Sequence, residues 1–179
     1  EVVTFTADLG QGEELAFCRK PVPVSEAEVL RIYAQKTAAA FEVAVQVGAT
    51  AAGVGAETRA LLSAFSQAVG TAYQIQDDIA DFHSVRGRAA DLLAMRPTLF
   101  LVVACTSEHP AVRDALQAVW QGDAAGRERL IDAIIEAGLR TRVDLLYAHY
   151  KHETTRALSD IPHGGLKRLL HRIMKRMLR

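Results

Sequence analysis

The sequence predicts an all-α fold, and three observations predict it. Alanine is frequent, in runs such as Ala38-Ala39-Ala40 and Ala51-Ala52, and it has the highest helix propensity of any residue. Apolar residues recur three and four apart, as in Leu61, Leu62, Phe65, Val69, Ala72, Ile75 and Ile79, which is the period of one helix face. The β-branched alternation that marks strands is scarce. At 179 residues, 50% apolar and 23% charged, the chain has the size and composition of one globular domain and is too apolar to remain disordered.

Residues 1–18 read as the tail of a helix carrying Gly10 and Gly12, after which Pro21 and Pro23 break the chain. Ser25-Glu26-Ala27-Glu28 is a capping box, with Ser25 as N-cap and Glu28 reaching back to it. It opens a helix over 26–48 whose inward face is Val29, Ile32, Tyr33, Ala40, Val43 and Val47. A turn from Gly48 to Gly55 ends that helix, and a long one follows over 56–83. Residues 84–90, with Gly87, form a polar loop. The next helix, 91–106, contains Pro97, so a break is expected near Arg96. Beyond Ser107–Pro110 come shorter helices over 111–120 and 126–138, then one over 139–158. A last helix spans 164–178, after Pro162 and Gly164-Gly165. No repeat, linker or internal boundary divides the chain, so residues 1–179 read as one all-α unit.

Lys and Arg total 21, as do Asp and Glu, giving zero formal net charge. That excludes a nucleic-acid binder working by bulk basicity and a strongly acidic tail protein. Cys18 and Cys105 lie outside any CxxC or Cys/His spacing. They read as small core residues in a reducing, cytoplasmic setting rather than as a disulfide or zinc site. The longest apolar run, Leu99 to Cys105, is far short of the ~20 residues that span a bilayer, and no secretory signal opens the sequence. The first residue is Glu1 rather than Met, so the expectation is a chain that begins inside a longer product.

The sharpest local feature is Gln74-Ile75-Gln76-Asp77-Asp78-Ile79-Ala80-Asp81. On a helix, Asp77 and Asp81 lie one turn apart on one face, with Asp78 beside them. Like charges so placed oppose the helix by roughly a few tenths of a kcal/mol per pair, and a helix C-terminus disfavours anions further. A hard divalent cation would offset this, and magnesium is typically held by one or two carboxylates plus substrate phosphates. The face leading to the acids is small or polar (Ser66, Gln67, Gly70, Gln74), as the lining of a cavity would be. The plain alternative is a solvated acidic helix end.

Lys36-Thr37 sits among apolar neighbours with no acid one turn away. The pair can hold a phosphate, lysine as a point charge and threonine as a donor, or Lys36 can simply snorkel at a helix edge. Arg86, Arg88 and Arg96 follow the acids; they either close over an anion or are solvated. The last helix sets Leu166, Leu169, Leu170, Ile173, Met174 and Met177 against Lys167, Arg168, Arg172, Lys175, Arg176 and Arg179, with no acid between. It could make a peripheral contact with an anionic membrane or cap the bundle with its basic side in water. The sequence favours capping.

Taken in chain order, these features resemble the trans-type polyprenyl diphosphate synthases, the polyprenyl synthetase family. The match runs through Gly10-Gln11, Lys36-Thr37 and Gly48-Ala49 to FSQAVGTAYQIQDDIAD (Phe65 to Asp81), which is similar to the family's FGxxxGxAFQIxDDxxD. Gly87-Arg88, Asp91-Leu92 and Arg96-Pro97-Thr98-Leu99 then resemble its GK, DL and KxTLP segment. The resemblance covers nearly the whole chain, but only the C-terminal half of the family's fold. It implies an isoprenoid-synthase-type helical bundle around a deep central cavity, and a transferase that condenses an allylic diphosphate with isopentenyl diphosphate.

The same resemblance implies Mg2+ as cofactor, bridging the allylic diphosphate to two acidic motifs. Asp77, Asp78 and Asp81 form the second, with Asp77 in direct metal contact. Lys36, Thr37 and Gln74 match positions that touch the allylic diphosphate or the forming cation, and with Asp77 make the catalytic set. Arg88 and Arg96 stand where the family usually has diphosphate-binding lysines. A homodimer or heteromer is implied, and no nucleic acid.

There are departures. Glu14 replaces an Asp, Ser66 a Gly, Tyr73 a Phe and Phe100 a Pro, and the loop between Asp81 and Asp91 is shortened. The first aspartate-rich motif, its arginine and the segment that binds isopentenyl diphosphate do not occur in this sequence. Three accounts follow: a portion of a longer enzyme, a chain completed by a partner, or a non-catalytic regulatory relative. The segment 1–179 alone is expected to be inactive.

Overall fold

The computed structural model describes residues 2–19, 22–83 and 89–178, with side chains from residue 9 onward. Pro21, Arg86, Gly87, Arg88 and Arg179, all singled out above, lie outside the described residues. Every described regular element is helical: α1 (Val2–Arg19), α2 (Glu26–Tyr33), α3 (Ala39–Ala51), α4 (Ala56–Phe82), α5 (Ala90–Leu93), α6 (Leu99–Cys105), α7 (Pro110–Trp120), α8 (Ala124–Glu136), α9 (Arg140–Ser159) and α10 (Gly164–Met177).

The caps explain where several helices start. Ser25 N–H donates to Glu28 Oε2 at 2.8 Å, and Glu28 N–H to Ser25 Oγ at 3.3 Å, which completes the predicted capping box. The break expected at Pro97 falls between α5 and α6. There Thr98 takes an extended conformation and its side chain accepts the Leu101 N–H, restarting the helix. Pro110 occupies the first turn of α7, where its missing N–H costs nothing.

One prediction was wrong in register. The helix expected over 26–48 is interrupted by a π turn at Ala34–Ala38, and it runs on through Gly48 to Ala51. A π turn holds more residues per turn than an α turn, so the inward stripe shifts phase beyond it. Val29, Ile32 and Tyr33 are buried as predicted. Past the π turn Ala40 and Val47 are exposed, while Ala39 and Ala49 are buried and Phe41 and Val45 pack against the core.

The chain packs as two compact units, neither contiguous in sequence. The first contains Glu1–Gln11, Ile32–Gln76 and Tyr147–Arg179. Its core joins Ala49 of α3, Leu62, Phe65, Val69 and Ala72 of α4, Leu158 at the end of α9, and Leu170 and Met174 of α10, with Ile161 and Leu178. The α4 stripe read from the sequence is therefore the spine of this core. The C-terminal helix docks on it through Leu170 and Met174, as a capping helix does.

The second unit contains Gly12–Arg31 and Asp77–Leu146. All six residues from Leu99 to Ala104 are buried, so α6 is apolar all round because it is the centre of this unit. Phe82, at the end of α4, stacks on Phe100 with ring centroids 3.9 Å apart. Cys18 and Cys105 are free thiols, half-buried, and burial pushes both up from the ordinary thiol pKa. Such cysteines are poor nucleophiles at neutral pH.

Candidate functional site

In the first unit the π turn carries Lys36 and Thr37, and two glycines set its position. A Cβ on Gly70 would lie 2.4 Å from Ala38 Cα, and one on Gly10 would lie 2.9 Å from Gln35 Cβ and 3.0 Å from the Lys36 nitrogen. Only glycine permits backbones to approach this closely. One turn beyond Gly70 on α4, Gln74 accepts a hydrogen bond from the Thr37 hydroxyl at 2.7 Å (Oγ1 to Oε1). The small face of α4 is thus a helix crossing. Ser66 is fully buried and donates to the Leu62 carbonyl, Gly70 meets Ala38, and Gln67 donates to Glu42. The expectation that this face lines a cavity is corrected accordingly: Ser66 and Gly70 are covered by protein.

Gln76 has a separate task. It donates from Nε2 to the Met177 carbonyl at 2.9 Å and accepts from the Tyr147 hydroxyl at 2.9 Å. It thereby ties the end of α10 and the side of α9 to the turn of α4 next to the acids. The QIQDD pattern carries no signal for this, because both partners lie far away in sequence.

In the second unit the three aspartates have three different environments. Asp77 is exposed. Asp78 is 3% exposed, and its Oδ2 accepts the Leu99 N–H at the start of α6, 3.1 Å away. Asp81 is partly buried, and its Oδ2 accepts the Asp91 N–H at 3.0 Å. The charge crowding read from the sequence is therefore met partly by backbone donors at helix starts, where anions are favoured. Ala89, just before α5, adopts φ 56°, a left-handed conformation rare for alanine, and donates its N–H to the Asp81 carbonyl. These two bonds to Asp81 set Asp91 against the end of α4.

Asp91 was not singled out as a site residue, yet it enlarges the acidic cluster. Burial holds its carboxyl above the usual carboxylate range, and the Asp81 charge adds to this; Arg96 opposes it, while Glu14 and Asp77 push the same way. Arg96 lies 3.1 Å from Asp91 and 3.7 Å from Glu14. Arg96, expected to meet a diphosphate, is here bound to carboxylates, one of them the Glu14 that departs from the family pattern. Arg88 lies outside the described residues.

Asp78 holds the start of α6 through the Leu99 N–H. Asp78→Ala would leave the Leu99 N–H buried without this partner, at a cost of about 1–3 kcal/mol. Asp78→Asn, which keeps an acceptor oxygen, is expected to recover most of that loss in thermal melting.

An exposed carboxylate is an oxygen ligand of the kind a hard cation such as Mg2+ takes. Among the described residues no three or more His, Cys, Asp or Glu form a group that could hold a metal ion unaided. The arrangement fits a cation that takes one or two carboxylates and fills its shell with water and phosphate.

The fold is shared with solved structures. The polyprenyl synthase from Roseobacter denitrificans matches with a TM-score of 0.84 at 22% identity, covering 98% of this chain and 60% of that one. The fold is therefore of the isoprenoid-synthase type. The polyprenyl synthetase family model matches residues 1–137, and the chain belongs to that family. It is 30% identical over 165 residues to the all-trans-nonaprenyl-diphosphate synthase (geranyl-diphosphate specific) of Rhodobacter capsulatus, covering 88% of this chain and 50% of that protein. To the geranylfarnesyl diphosphate synthase of Methanosarcina mazei it is 28% identical over 123 residues, covering 69% and 42%. The chain thus spans half or less of the length of these curated relatives. Among the described residues no helix is long and apolar enough to cross a membrane.

Proposed function

We propose that this chain is the C-terminal part of a single polyprenyl synthetase domain, in a protein that condenses an allylic diphosphate with isopentenyl diphosphate. The observation that carries the reading is the division of labour among the aspartates. Asp78 and Asp81 accept backbone N–H groups, and Asp77 presents an exposed carboxylate at the position the family motif assigns to metal contact. Asp77, supported by Asp81, would hold Mg2+, and bound magnesium would neutralise the departing diphosphate.

The chain's own residues complete the chemistry. Lys36 supplies a cationic point for the allylic diphosphate. The Thr37 hydroxyl commits its hydrogen to Gln74, so its oxygen is left with acceptor lone pairs, which suits it to stabilise a developing carbocation. Arg96, released from Asp91 and Glu14, would add charge toward the diphosphate. The assembled enzyme is a homodimer or heteromer.

The test is product formation from labelled isopentenyl diphosphate by the full protein, with allylic starters from dimethylallyl upward. A prenyl diphosphate is expected that disappears when EDTA removes magnesium and returns when magnesium is restored. Absence of product with every starter defeats the reading. Residues 1–179 alone are expected to give no turnover.

A further inference from the structure

We propose that α10 binds the surface of an anionic lipid membrane while remaining docked on its own unit. The proposal stands apart from the prenyl-transfer reading and needs no activity to be tested. At about 100° per residue, the residues of α10 divide into three arcs. Leu166, Leu170, Met174 and Met177 face the core. Arg168, Arg172, Lys175 and Arg176 occupy the outward arc, and Asp and Glu are absent from the helix. Leu169 and Ile173 fall between these arcs, directly beside Arg172 and Arg176, and remain 51% and 40% exposed.

Docking therefore uses only part of the apolar face. The remainder is two large aliphatic side chains, one turn apart, edged by four cations. Among the described residues no ion pair given above or elsewhere in the structure involves α10. Lys167 is excluded from the surface because its ammonium donates to the Ser159 carbonyl at 2.7 Å.

An exposed aliphatic pair alone would be ordinary surface, and a cationic arc alone would suit any polyanion. The two side by side fit one kind of occupant: a surface that is anionic at its headgroups and apolar just beneath. Gln76 bonds to the Met177 carbonyl at the end of this helix, so the surface is anchored to α4 rather than carried on a loose tail.

The test is flotation of the full protein with vesicles of phosphatidylcholine alone or with about one-third phosphatidylglycerol. Binding is expected to the anionic vesicles only, and to weaken at least tenfold as salt rises from about 0.1 to 0.5 M. Arg172→Glu with Arg176→Glu is expected to lower partitioning by at least about tenfold. Leu169→Ser with Ile173→Ser is expected to lower it several-fold at low salt. All four side chains are exposed, so circular dichroism and the melting temperature are expected to stay at wild-type values. Failure to float with anionic vesicles overturns the proposal, as does binding indifferent to both pairs. Equal affinity for a short RNA duplex, unaffected by Leu169→Ser/Ile173→Ser, would mark a general polyanion site and overturn it too.

Discussion

Asp77→Ala in the full protein is expected to lower kcat by about 10²–10³-fold and to leave the melting temperature unchanged or slightly raised. The two halves of this result have one cause. Asp77 lies near the C-terminus of α4, where the helix dipole disfavours an anion by about 0.3–1 kcal/mol, and Asp78 and Asp81 stand beside it. It is exposed, so its carboxylate is solvated and removing it opens no cavity. Alanine also has the higher helix propensity. A side chain that the fold would be better without is the kind retained for chemistry.

Asp77→Asn keeps the shape and removes the charge, so it is expected to lose nearly as much activity and to require more magnesium for half-maximal rate. Asp78→Ala gives the opposite pattern, a lower melting temperature, with Asp78→Asn restoring it. Wild-type kcat in Asp77→Ala would remove the metal-holding role and the proposed function with it.

The sequence made one helix nearly fully legible. The stripe of α4 runs through seven apolar positions without interruption, so its period could be read directly and five of those positions are buried. The helix before it was misread at one place. A single extra residue in the π turn at Ala34–Ala38 leaves no mark in composition, yet it rotates everything after it. Lys36 and Thr37 were found as residue types, but not as part of a distorted turn.

The acidic motif shows the same limit. Its spacing gave the shared face of Asp77 and Asp81, and charge repulsion pointed to a cation. The Leu99 and Asp91 N–H groups that answer Asp78 and Asp81 come from residues 21 and 10 positions further on, beyond any helical periodicity. Gln76 was invisible for the same reason, since one of its partners is 101 positions away. In α10 the pattern gave one apolar face, whereas packing divided it, burying Leu170 and Met174 and leaving Leu169 and Ile173 outside.

Gly70→Ala is expected to destabilise the protein by about 1–3 kcal/mol or more, lowering the melting temperature by roughly 3–10 °C at this chain length. In an open helix the same change would gain about 1 kcal/mol from propensity, so the expectation rests on what the added methyl meets. Its Cβ would lie 2.4 Å from Ala38 Cα, 2.8 Å from Ala38 Cβ and 2.9 Å from the Ala38 nitrogen, against ordinary carbon contacts of about 3.5–4.0 Å. These are atoms of Ala38, the buried residue of the π turn, and cannot rotate away as a long side chain would. Either α4 or the π turn must move. Thr37 is the neighbour of Ala38, and Gln74 lies one turn beyond Gly70. The displacement therefore stretches the 2.7 Å Thr37–Gln74 hydrogen bond, and kcat is expected to fall together with stability. Gly48→Ala is the control: Gly48 lies inside α3, and a Cβ there meets nothing within 4 Å. It is expected to raise stability by up to about 1 kcal/mol and to leave turnover alone. A neutral or stabilising Gly70→Ala would show that α4 and the π turn do not meet as closely as described, and would remove the structural basis for placing Thr37 beside Gln74.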